Sequence, residues 1–134
     1  HPSSEQLIDY ETIVHKIDKS IEIFQQGDIL EYIVNADVII SYSGSSSLVY
    51  ALMCNKPIIV CNFYDLRNDI FIDGNVAVSC KNEKEVKKTI EKVGIESFIK
   101  KENVEKFIAE YFHKLDGKAS ERIGNEILKI VKNQ

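Results

Sequence analysis

The sequence holds little that suits nucleic acid, a metal or a membrane. Its 17 Lys and Arg fall short of its 21 Asp and Glu, leaving a formal net charge of −4. A phosphate backbone selects strongly basic surfaces, so nucleic acid is not an expected partner. Cys54, Cys61 and Cys80 form no CxxC pair, and with only His1, His15 and His113 beside them no zinc spacing can be assembled. The three are odd in number, and Cys61 and Cys80 sit in apolar runs, where a free Cys behaves as a small hydrophobe. They point to a reducing compartment, the cytoplasm. No apolar run approaches the roughly 20 residues of a membrane span, and no signal peptide is expected. Membrane association would therefore come only through a longer protein. Internal repeats and low-complexity tracts are missing too.

What remains is ordinary globular composition. The 134 residues are 44% apolar and 28% charged, enough for one domain, residues 1–134, with its own core. Charge is unevenly spread. Residues 1–80 carry 4 basic and 11 acidic side chains, whereas residues 81–134 carry 13 basic and 10 acidic. The basic excess falls on helical patterns and reads as solvated helix faces.

Hydrophobic periodicity orders the chain. Leu7, Tyr10, Val14 and Ile17 recur at helical spacing over residues 4–18, with Ser3 and Gln6 as a capping box. Ile21 to Phe24 is a short strand candidate. Asp28 caps a helix whose apolar face is Ile29, Leu30, Ile33 and Val34. Val38 to Ile40 is a short β-branched run, expected to be a strand buried on both faces. The loop Tyr42 to Ser46 follows, then a helix from Ser47 to Cys54 and a second buried strand, Ile58 to Cys61. Strand, helix and strand in so short a span make a parallel crossover. A polar connection over residues 62–75, with a turn at Asp73-Gly74, leads to a third strand of this series, Val76 to Cys80. Asn82 and Glu85 cap a helix carrying Val86, Ile90 and Val93. Two more helices follow, with Val104, Phe107, Ile108 and Tyr111 on one and Ile123, Ile127, Ile130 and Val131 on the other. The expectation is an α/β domain, Rossmann-like and three-layered, with a small parallel sheet of about four strands and helices on both faces.

In such a sheet ligands bind beyond the carboxyl ends of the strands. The loop there is rich in small hydroxyls: Ser41, Ser43, Ser45, Ser46 and Ser47 surround Gly44. A strand-to-helix junction offers unpaired N–H groups and the positive end of a helix dipole. Glycine permits close approach, and hydroxyls donate without adding charge. The set suits a phosphate or diphosphate, although one serine capping a helix among small neighbours is an equal reading. It has neither the Lys of a P-loop nor a GxGxxG. Asp65, Arg67 and Asp69, in the next loop, read either as reaching a bound sugar or nucleotide or as a solvated polar loop. His15 and His113 fall on amphipathic patterns and read as surface residues, so no Ser-His-Asp arrangement can be built. No metal and no cofactor is called for.

The stretch ADVIISYSGSSSLVYALMCNKPIIVCN, Ala36 to Asn62, resembles the C-terminal, donor-binding half of GT-B glycosyltransferases. It is most similar to CDP-glycerol glycerophosphotransferases and capsular sialic-acid or Kdo transferases, and it is related in pattern to the UDP-N-acetylglucosamine 2-epimerases. Asn55-Lys56-Pro57 stands where the group has Gly-Lys-Pro. His1-Pro2-Ser3 looks like the His-Pro motif of the capsule enzymes, and DGKASERIGNEIL, Asp116 to Leu128, resembles a common ending of the group. The resemblance implies one nucleotide-sugar-binding domain from a two-domain enzyme of cell-surface polysaccharide synthesis. The donor would be a CMP-, CDP- or UDP-linked sugar or polyol. His1 would act catalytically, while Ser43, Gly44, Ser45, Ser46, Ser47 and Tyr50 face the nucleotide phosphate. An N-terminal acceptor domain would be missing, and the chain alone would be inactive. One position departs: many relatives carry a Glu before the Ala of the loop helix, where Tyr50 stands before Ala51. A phenol cannot chelate two ribose hydroxyls, which disfavours UDP-sugar and epimerase assignments. The competing readings are the epimerase-type isomerase half and a non-enzymatic α/β module that docks a partner. From the residues alone, His1 reads either as an extraneous terminal residue or as the end of a missing strand.

Overall fold

The computed structural model describes residues 9–24, 26–66, 68–93 and 99–132. Seven helices and three strands are present among them. They are α1 (Tyr10–His15), α2 (Ile29–Asn35), β1 (Ile39–Tyr42), α3 (Ser47–Met53), β2 (Ile58–Cys61), α4 (Ile70–Asp73), β3 (Val78–Cys80), α5 (Glu83–Ile90), α6 (Lys101–Tyr111) and α7 (Ala119–Lys132). The sheet is parallel, in the order β1-β2-β3, with Ile39 opposite Ile58 and Ile59 opposite Val78. An α/β domain with a small parallel sheet and helices is thus present, with three strands among the described residues where about four were expected.

The missing strand is Ile21 to Phe24. This segment is neither helix nor strand and joins no sheet among the described residues, and Ile21 and Phe24 lie exposed. Its pattern satisfies strand propensity, yet the sheet β1-β2-β3 does not take it in. Local ties hold it instead: His15 Nε2 lies 3.0 Å from the carbonyl oxygen of Ile21, and Phe24 stacks on Tyr32 at 4.4 Å. The Ser3–Gln6 capping box falls outside the described residues.

β1 also departs from expectation. It runs on through Ser41 and Tyr42, so the serine loop begins at Ser43. It is not buried on both faces. Ile39 and Ser41 are half-buried, whereas Ile40 is 44% and Tyr42 61% exposed. The reason lies in the layers. On one face Ile58 and Val60 pack with Ile33 of α2, Leu48, Ala51 and Leu52 of α3, Phe71 of α4 and Phe107 of α6. On the other, α5 packs on β2 and β3, leaving the outer β1 positions uncovered. Only the β2 residues Ile58, Ile59 and Val60 show the continuous burial of a central parallel strand.

Caps follow the sequence signals. Asp28 accepts from the Leu30 N–H and Asn82 from the Glu85 N–H, while Glu85 accepts from the Lys81 N–H. Asp116 accepts from the Lys118 N–H and from Arg122 ahead of α7, and these bonds hold its carboxyl below the usual carboxylate range. A carboxyl lowered in the folded state stabilises above its unfolded pKa and loses that contribution as pH falls. The stability difference between wild type and Asp116→Asn should therefore be present at neutral pH and close in acid, read by denaturant unfolding across pH.

Phe107 centres the aromatic packing, with Phe71 at 5.3 Å, Tyr111 at 4.7 Å and Phe112 at 5.9 Å. A Cβ on Gly74 would meet the Phe107 ring at 2.5 Å, so this glycine makes room for the ring. Phe107→Ala should cost about 3–5 kcal/mol in urea unfolding. A loss below about 1 kcal/mol would mean that the ring is not core.

Candidate functional site

The serine loop lies at the carboxyl end of β1, beside the loops that leave β2 and β3. Gly44 takes φ +80°, a left-handed conformation that strains any side chain, with open space around it. This turn brings Ser43 and Gly44 over Asp69. The Ser43 hydroxyl donates to Asp69 Oδ2 at 2.6 Å and the Gly44 N–H donates to the same oxygen at 3.1 Å. The other carboxylate oxygen, Oδ1, accepts from the N–H groups of Phe71 and Ile72 and so caps α4. Asp69 is 5% exposed, and its burial is matched by four donors. One side chain thus ties the loop after β1 to the helix after β2, across 25 residues of sequence.

Beyond the clamp the loop stays open. Ser45 Oγ lies 2.7 Å from Ser47 Oγ. Ser46 is exposed and precedes α3 in a helical conformation, and α3 has no side-chain cap. A helix start leaves N–H groups without helical partners, but here most of them are taken. The Leu48 and Val49 N–H groups are already used, bonding back to the Ser45 and Ser46 carbonyls. Leu48, Ala51 and Leu52 turn inward and anchor α3. Tyr50 lies on the outward side with Met53, exposed, one turn along from Ser46 and Ser47.

The neighbouring loop is held by Asn62, a buried amide at the end of β2. Its Oδ1 accepts from the Leu66 N–H at 2.7 Å and its Nδ2 donates to the Leu66 carbonyl at 3.1 Å. Asp65 pairs with Lys81, the residue after β3, at 3.1 Å. That pair is exposed and worth little to stability.

The residues expected to face a phosphate therefore divide. Ser43 and Gly44 are engaged by the Asp69 carboxylate. Ser45, Ser46 and Ser47 remain together at the open start of α3, and Tyr50 stands apart on the next turn. His1 lies outside the described residues, as does Arg67. Asp65 and Asp69 do not act together: one pairs with Lys81, and the other is turned inward. Sequence reasoning did not foresee the Asp69 clamp or α4. The available signal was an acidic residue immediately before the apolar run Ile70-Phe71-Ile72, the mark of a helix N-cap. No protein-family model, curated protein or solved structure matches the chain.

Asp69→Ala should lower stability by about 2–4 kcal/mol, because it removes a helix cap and leaves buried donors unpaired. Asp69→Asn should cost less: Oδ1 can still cap α4, but the amide nitrogen meets the Gly44 N–H donor to donor. Urea unfolding of both variants checks the order.

Proposed function

We propose that this chain is the donor-binding domain of a glycosyltransferase of cell-surface polysaccharide synthesis, one Rossmann-like half of a GT-B arrangement. The donor's phosphate rests on Ser45, Ser46 and Ser47. The observation that carries this reading is the open serine cluster itself. It sits at the carboxyl ends of parallel strands, on an uncapped helix start, and is preset by a clamp that does not occupy it. Hydroxyls fixed in advance at a helix start offset negative charge developing on a departing nucleotide phosphate. The Asp69 carboxylate takes the Ser43 and Gly44 donors, which confines the anion to the Ser45–Ser47 side.

A second reading, the partner-docking module, has its own support. Ile123, Ile127, Leu128, Ile130 and Val131 leave α7 with an apolar stripe more than half exposed along its length.

Titration with CMP, CDP and UDP, followed by amide NMR shifts, separates the two. The transferase reading expects the largest shifts at residues 45–48 and a preference for cytidine nucleotides. It also expects Ser45→Ala with Ser47→Ala to weaken binding about tenfold or more. Silence at these positions at millimolar nucleotide would favour docking.

A further inference from the structure

Cys61 and Cys80 end β2 and β3 and are direct partners in the parallel register. Adjacent strands lie roughly 4.8 Å apart, inside the Cα separation a disulfide accepts. Both thiols point to the same side of the sheet. Cys80 Sγ lies 3.5 Å from Thr89 Oγ1 on α5, and Cys61 lines a groove of about 450 Å³ with Phe63, Val86, Lys87 and Ile90. Cys80 is buried, whereas Cys61 is half-buried at the groove wall. Burial and the nearness of Cys80 both push the Cys61 thiol above its ordinary range, so exchange at Cys61 runs through a small thiolate fraction and quickens as pH rises. Cys54 stands apart from this pair, at the carboxyl end of α3.

We propose that Cys61 and Cys80 are a paired thiol-modification site, which a small disulfide of the glutathione class converts to an intramolecular disulfide tying β2 to β3. The Cys61 thiolate attacks one sulfur of the small disulfide. A new S–S bond forms, the old one breaks, and the first small thiolate leaves and takes up a proton. That proton comes from the adjacent Cys80 thiol, which is buried; the Cys80 thiolate attacks the Cys61 sulfur and expels the second small thiolate, which is protonated from solvent. Two protein thiols are oxidised and one small disulfide is reduced to two thiols. The strand ends already lie together, since the Asn62 N–H donates to the Cys80 carbonyl at 2.8 Å. Closure asks for side-chain rotation and a small approach of the two strand ends. This site is independent of the nucleotide reading.

The test treats the folded chain with oxidised glutathione. In wild type, the free-thiol titre measured after denaturation should fall from three to one. In Cys54→Ser, tryptic peptide 20–67 should be linked to peptide 68–81, lighter by two hydrogens than their sum. Trypsin leaves the Lys56–Pro57 bond uncut, so Cys54 must be removed for the link to be assigned. In Cys80→Ser, glutathione should remain on Cys61 as a stable mixed disulfide. The proposal is overturned if glutathione persists on Cys61 while Cys80 is intact, if both thiols stay reduced, or if links form only between chains.

Discussion

The organisation of the sheet's carboxyl end depends on one buried carboxylate. Parallel strands deliver their loops side by side but do nothing to align them; that requires a group reaching from one loop to the next. Asp69 does so with both oxygens, one fixing the start of α4 and the other holding Ser43 and Gly44. A buried charge survives only when its donors are complete. The two arms use different oxygens, so an amide at this position keeps the α4 cap while giving up the hold on Gly44. Through Gly44 the same contact sets where the serine run begins and which of its donors remain open.

The second constraint is incomplete coverage. Among the described residues, one face of the sheet is covered by α2, α3, α4 and α6, and the other carries α5 over β2 and β3. The outer β1 positions and the apolar stripe of α7 consequently stay in contact with water. Such surfaces are expensive for an isolated domain and ordinary for one that packs against another body. Both the proposed two-domain transferase and the docking module account for them. They differ in what the serine cluster does.

The legible parts of the sequence were those set by local rules. Asp28 and Asn82 announced their helices by side chains that satisfy nearby N–H groups, and Ile58 to Val60 announced a buried strand by continuous apolarity. Ile21 to Phe24 misled because strand propensity says nothing about whether a partner edge exists. Ile40 misled because burial on both faces depends on a covering helix that the chain does not place there. Asp69 stood in a polar loop by composition. Its contact with Ser43 spans 26 positions, and no pattern along the chain marks a tie of that length. The serine cluster's position at the strand ends was foreseen, but the division of its donors between a protein carboxylate and open solvent was not.

The most direct test of the clamp is amide hydrogen exchange at Gly44, followed in wild type and in Asp69→Asn beside the Phe71 and Ile72 amides. The account predicts a protected Gly44 amide in wild type that becomes fast in the variant, while Phe71 and Ile72 keep most of their protection. A Gly44 amide that exchanges at the free-loop rate in wild type, or is unchanged in the variant, would contradict it.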